Sequence, residues 1–304
     1  MRFATEITLA GPLRSPAQML ADQVVDGHTS IHDGDTAAGL GLTGAPIEGP
    51  THFSQFDPLA MALWGDAWFA HGCVSSHFRT MVVEGEQVGA SMTTNADGRS
   101  ARIEAHKADG TPVLVGTASV GPDHPESALE ARLNAQGDPG DLFVIDQLHV
   151  GLRRDDEGTV TMTHDGGNGG GYPFSLAEKL AAITEPHAWY TPDGGRTSPW
   201  GRAIVPIEMI SVLANKSGRG FPVRSPAFGL FLDLEIRLLD GPVFVDEPYT
   251  VEREIVGIGQ SRRTESYWTR TTLRATDTGN AIASVLLHSG VFKESYPGYP
   301  RERL

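Results

Sequence analysis

The apolar positions divide the chain into two stretches that share one order of elements. In the first, residues 4–9 alternate as a strand, and 16–25 read as a short amphipathic helix capped by Ser15. An apolar stretch over 50–64 predicts a second helix, restarting or kinking at Asp57-Pro58. Strand-like runs follow at 74–82, 87–94, 101–107 and 113–120, with turn signals at 95–98 and at Asp109-Gly110. In the second stretch, 159–163 is a strand, 175–183 a capped helix and 205–216 a helix stopped by Gly218. Strands then recur at 229–238, 249–259, 267–275 and 281–292, the last pair turning at 277–280. Residues 122–141, rich in Pro, Gly and acidic side chains, read as a linker between units 1–138 and 139–304.

One central helix followed by a run of antiparallel strands is an α+β arrangement. The economical packing wraps each curved sheet around its helix and joins the sheets edge to edge, which protects strand edges from unwanted pairing.

The two units also share a motif. Ser30-Ile31-His32-Asp33-Gly34-Asp35 continues through Gly41 to Ala45-Pro46-Ile47-Glu48. Thr191-Pro192-Asp193-Gly194-Gly195 continues through Gly201 to Val205-Pro206-Ile207-Glu208. Pro192 stands opposite His32, so duplication followed by division of labour predicts chemistry in the first unit and support or substrate binding in the second.

Composition narrows the function classes. A formal net charge of −14 argues against nucleic acid and anionic membranes as partners. It leaves room for an anionic carrier at a local basic patch such as Lys216, Arg219 and Arg224, or Arg262 and Arg263. No apolar run approaches membrane-spanning length, the N-terminus lacks a signal-peptide core, and Cys73 is the single cysteine. A cytoplasmic location is therefore expected.

His32, Ala38, Gly41 and Pro46-Ile47-Glu48-Gly49 together resemble the motif of the hotdog superfamily, specifically the MaoC-like hydratases and dehydratases of acyl thioesters. The resemblance implies a double hotdog: two tandem antiparallel sheets, each wrapped around a central helix. It also implies a hydro-lyase of the enoyl-CoA hydratase or 3-hydroxyacyl dehydratase type, placed in fatty acid metabolism. Coenzyme A would be the substrate carrier, and no other cofactor is implied. The upstream acid would be Asp26, one residue farther from the histidine than the motif has it. Glu48 stands where the family often carries histidine.

Such chemistry needs a group that moves a proton to or from water, and donors for the charge that builds on the thioester oxygen. His32 suits the first task, partnered by Asp26 or Asp33. The Gly49 N–H, at the start of the central helix, suits the second. Glu48, His52 and His28 are candidate pocket residues, and Arg262 and Arg263 candidate substrate-binding residues. Asp33 has a counterpart in Asp193, which fits a turn residue equally well. The alternatives are a hotdog acyl-CoA thioesterase using Glu48 or Asp57, or an acyl or small-molecule binding protein without turnover.

No metal site is expected. His28 and His32 fall in a glycine-bearing loop with no third ligand at typical spacing, and strand alternation explains His71, Cys73 and His77. Gly39-Leu40-Gly41-Leu42-Thr43-Gly44 spells a dinucleotide fingerprint, but no strand precedes it and Pro46 and Pro50 break the helix that should follow. Residues 166–171 lack the Lys-Ser/Thr of a phosphate loop and read as a flexible connection. Whether two chains associate as a homodimer is left open.

Overall fold

The computed structural model describes residues 5–25, 27–155, 158–216 and 220–304. The first unit opens with β1 (Thr8–Ala10), a two-stranded ribbon of β2 (Val24–Val25) and β3 (His28–Thr29), and α1 (Gly34–Gly39). A 3₁₀ helix (Gly49–Phe56) runs into α2 (Asp57–Trp64) and then α3 (Ala67–His71). Pro58 explains the break: its ring is tolerated in a first helical turn but not in an interior one, so a new helix begins at Asp57. β4 (Gly72–Phe78), β5 (Val88–Thr94), β6 (Ser100–Lys107) and β7 (Pro112–Val120) follow, and then α4 (Ala128–Asn134).

The second unit comprises β8 (Arg153–Asp155), β9 (Val160–Thr161), α5 (Leu176–Ala182), α6 (Pro192–Gly195) and α7 (Ile207–Asn215). It ends with β10 (Gly229–Leu238), β11 (Pro248–Gln260), β12 (Thr264–Ala275) and β13 (Ala281–Phe292). Among the described residues, eleven strands form one antiparallel sheet in the order β1-β5-β6-β7-β4-β10-β13-β12-β11-β8, with β9 beside β11. The seam is β4 against β10, where Asp233 faces His77 and Arg237 faces Cys73. The two sheets are thus joined edge to edge, and neither seam edge is left unpaired.

The two central helices pack against each other inside the curve of this sheet. Phe53, Phe56 and Ala60 on one side, and Met209, Ile210 and Leu213 on the other, are sealed. Each large side chain there contributes roughly 1.5–3 kcal/mol by leaving water. α7 is apolar nearly all round because it has no solvent face.

Two expectations change. Residues 16–25 do not form a helix. Their polar groups bond elsewhere: the Val24 N–H donates to Gly170 O at 3.0 Å, the Gln23 amide to Gly171 O, and the Leu20 N–H to the Gln18 side chain. Residues 166–171 are therefore a partner surface for this arm. The linker region carries a helix of its own. α4, capped by Ser127, lies on the outer face across the seam, with Leu129 sealed against Trp268 and Leu286. Farther on, the sealed Glu265 carboxylate accepts the backbone N–H groups of Phe143, Val144 and Ile145.

Candidate functional site

His32 sits on the turn between β3 and α1, its backbone N–H donating to Ser30 Oγ at 3.2 Å. Its Nδ1 lies 2.6 Å from the carbonyl oxygen of Pro46. A carbonyl can only accept, so Nδ1 carries the hydrogen and the neutral ring presents Nε2 as a bare base. Burial pulls the imidazole pKa below its usual value, outweighing the carbonyl's opposite effect, so the ring is neutral at pH 7. The Gln18 amide donates to the same oxygen at 2.7 Å, fixing the acceptor from its other side. Nε2 has no hydrogen-bond partner among the described residues and is not one of the sealed polar atoms.

The loop after Pro46 is held by the Ile47 N–H, which donates to Val82 O at 2.7 Å. Glu48 then occupies the cap of the 3₁₀ helix and Gly49 its first position, where an N–H has no acceptor within the helix. A Cβ at Gly49 would lie 2.7 Å from the Phe78 ring, which stacks on Phe53, so a larger residue there displaces that ring.

Behind this loop lies a sealed polar cluster between the central helices. Lys179 of α5 pairs with Glu208 at 3.1 Å and donates to Thr51 Oγ1 at 2.9 Å, while Ser54 donates to Glu208 at 2.8 Å. Burial pushes the Glu48 carboxyl up to about 7, with Lys179 pulling down and Glu208 adding to the rise. Burial, assisted by Lys179, takes the His52 imidazole down to about 4. Glu48 Oε1 and His52 Nδ1 are sealed without a hydrogen-bond partner in the structure.

The other candidates disperse. Asp26 lies outside the described residues. Asp33 does not hold His32: its carboxylate caps α1, accepting from the Thr36 N–H at 2.9 Å and hydroxyl at 2.8 Å, which lowers its pKa. In the second unit the cap is Thr191, two residues earlier than the motif alignment gives, and Asp193 is exposed beside Arg196. His28 bonds the carbonyl of Thr29 and meets Phe228 edge-on at 5.1 Å. Arg262 and Arg263 are exposed at the β11–β12 turn, Arg263 lying over Phe292, with no contact that brings them to His32. Asp57, a thioesterase candidate, has both oxygens taken, by Trp68 Nε1 at 2.8 Å and the Tyr190 hydroxyl at 2.7 Å.

Aromatic rings pack beside the counterpart loop of the second unit: Phe69, His187, Trp189 and Tyr190 meet with centroids 4.6–6.1 Å apart. No cluster of His, Cys, Asp or Glu that could hold a metal occurs among the described residues. No helix among them is long and apolar enough to cross a membrane.

The sequence did not single out Gln18 or Lys179. Lys179 did carry a signal, since it interrupts the apolar stripe of α5 three residues after Leu176. Gln18 acts through a backbone oxygen, which leaves no pattern in the chain.

A scan against protein-family models found no match, and neither did a search of curated proteins. Solved structures do match. A protein described as a MaoC-domain dehydratase from Chloroflexus aurantiacus superposes with TM-score 0.57 at 14% identity, over 96% of this chain and 95% of that one. A conserved hypothetical protein of Mycobacterium tuberculosis with a double hotdog fold gives TM-score 0.55 at 12% identity, over 96% and 97%. A MaoC-like dehydratase gives TM-score 0.51 at 12% identity, over 96% and 98%. The chain has the double hotdog fold.

Proposed function

We propose that this chain is a hydro-lyase that adds water to, or removes it from, the conjugated double bond of an acyl thioester. The observation that carries the proposal is the Pro46 carbonyl's hold on His32 Nδ1, which leaves a neutral ring with an unprotonated Nε2. In the hydration direction Nε2 takes a proton from water as the water oxygen bonds to the β-carbon. The π electrons move onto the thioester oxygen, towards the Gly49 N–H. A protonated carboxyl then returns a proton to the α-carbon. Glu48, two residues past Pro46 and with a carboxyl pKa near 7, suits that role better than Asp33, whose oxygen is engaged in a cap. That solved structures of this fold are described as dehydratases supports the reading.

The test is hydration of a crotonyl thioester, followed by loss of the conjugated absorbance. His32→Ala should lower the rate by roughly 10²–10⁴-fold with the melting temperature nearly unchanged. A variant that keeps its rate removes His32 from the mechanism. A thiol reagent run in parallel reports any release of free thiol, which would mark a thioesterase instead.

A further inference from the structure

The repeat extends upstream of the shared motif. Ser15-Pro16-Ala17-Gln18-Met19-Leu20-Ala21 and Ser175-Leu176-Ala177-Glu178-Lys179-Leu180-Ala181 stand at the same spacing as Glu48 and Glu208. The two glutamates are therefore counterparts, and both are buried. The lysine has no such counterpart. Met19 holds its place in the first unit, packed against the core.

The two carboxyl groups meet Lys179 differently. Its Nζ lies 3.1 Å from Glu208 Oε1, and Ser54 Oγ donates to Glu208 Oε2 at 2.8 Å. Glu48 Oε1, by contrast, is sealed without a hydrogen-bond partner in the structure. Lys179 reaches the turn that bears Glu48 through Thr51. It donates to Thr51 Oγ1 at 2.9 Å, and the Thr51 N–H donates to the Glu48 carbonyl oxygen at 3.1 Å. A buried carboxylate without a partner is costly, whereas a neutral carboxyl in the same place costs far less. One cation beside two buried carboxyls supports one negative charge, and the second group keeps its proton. These contacts put the charge on Glu208 and the proton on Glu48.

The other titratable groups around Glu48 do not reverse this. His52, on the same helix, is neutral because burial and Lys179 both disfavour its cation. Tyr172, ahead of α5, is a phenol whose pKa burial and the Glu48 charge push up. Asp57, farther along, is lifted by burial and by the charges of Glu208 and Glu185, with its oxygens held by Trp68 and Tyr190. Among the described residues, Lys179 is the cation that bears on Glu48.

Resting on the hydro-lyase reading, we infer that Lys179 is a positioning residue for the first unit's chemistry: by pairing with Glu208 it leaves Glu48 as the protonated acid. The second unit thereby serves catalysis without touching substrate.

The test removes each partner in turn and follows Glu48 by two readouts. One is the alkaline limb of crotonyl-thioester hydration, and the other is the infrared carbonyl band of the protonated carboxyl, identified by its loss in Glu48→Gln. Glu208→Gln frees Lys179 to pair with Glu48, so limb and band should both move to lower pH, by about one pH unit or more. Lys179→Met removes the cation, so both should move to higher pH. Lys179→Met combined with Glu208→Gln should fall between the two singles. A purely structural role would lower the rate at every pH and would not move the readouts in opposite directions. A limb and band that stay in place in Glu208→Gln, or move to higher pH, overturn the inference, and this variant decides alone should Lys179→Met not fold. A band that moves as expected in a chain that hydrates no enoyl thioester sinks the hydro-lyase reading and leaves the assignment of charge standing.

Discussion

Lys179 Nζ lies 3.1 Å from Glu208 Oε1, and the two side chains are 3% and 1% exposed. Through Thr51 and Ser54 the pair also binds the first unit, so one ion pair ties both central helices together. Removing one partner of such a pair strands the other charge. Lys179→Met should therefore cost about 3–5 kcal/mol in chemical denaturation. Lys179→Met combined with Glu208→Met should recover much of that, since an apolar pair of similar volume is often no worse than the ions. A single variant within about 1 kcal/mol of the parent would show the pair to be solvated after all.

Glu48 gives stability a pH dependence of defined sign. Its folded pKa of about 7 is raised above the ordinary 4.5 because burial disfavours the charge. The protonated form is thus favoured on folding. Its contribution is fully present below about pH 4.5 and is lost as pH rises through 7. Asp57, lifted by burial to about 7, acts in the same direction. A shift of this size is worth on the order of 3 kcal/mol. Denaturation midpoints taken from pH 5 to 8 should fall, and Glu48→Gln should flatten the decline. An unchanged slope in that variant would mean the carboxyl is hydrated.

The same carboxyl should shape the rate. With His32 as base and Glu48 as acid, hydration should lose activity above about pH 7 as Glu48 ionises. On the acidic side, loss should begin below the ordinary imidazole value, because burial lowers His32. Glu48→Gln, which has no proton to give, should lower the rate by roughly 10²–10⁴-fold and remove the alkaline limb from the activity that is left. If that limb persists in the variant, another group supplies the α-carbon proton.

Much of this architecture was legible in the chain, for reasons specific to each element. β10 and β13 fall on the residues the sequence assigns to strands, because each is an apolar-rich run bounded by turn signals. The restart at Asp57 followed from Pro58. The arm at 16–25 was not legible: its donors bond Gly170 and Gly171, about 150 residues away, and no local pattern records that. The docking of α4 was hidden likewise, since Leu129 finds Trp268 and Leu286 only once the sheets have joined. In the site, His32 was visible as a titratable group absent from its repeat. Its partner was not, because Pro46 contributes a backbone oxygen that any residue could supply.

Gly49 and Phe78 make a paired prediction. Gly49→Ala places a Cβ 2.7 Å from the edge of the Phe78 ring, which stacks on Phe53 with centroids 6.2 Å apart. Overpacking of this kind costs about 1–3 kcal/mol. Gly49→Ala with Phe78→Leu should regain part of it by making room. Thermal melts of the two singles and the double decide the point, and a double no better than the sum of the singles would place the strain elsewhere.

Asp233 makes the acid-side prediction. Its carboxylate is fully buried at the seam, which alone would raise its pKa. Hydrogen bonds from His288 Nδ1 at 2.6 Å and His77 Nδ1 at 2.7 Å, with Arg132 at 3.1 Å, reverse that and hold it down to about 2. The stabilisation is present above the ordinary 3.8 and is lost as pH falls through about 2, an amount of roughly 2 kcal/mol. The His288 ring lies flat on Trp268, centroids 4.1 Å apart, so its movement should also be seen in indole fluorescence. Acid titration of the parent should show unfolding steepening between about pH 4 and 2. Asp233→Asn, which puts a donor NH₂ where one of the two accepting oxygens stood, should be less stable at neutral pH and lack this step. If both proteins lose stability in parallel as the acid is added, other carboxylates govern the transition and the seam cluster does not.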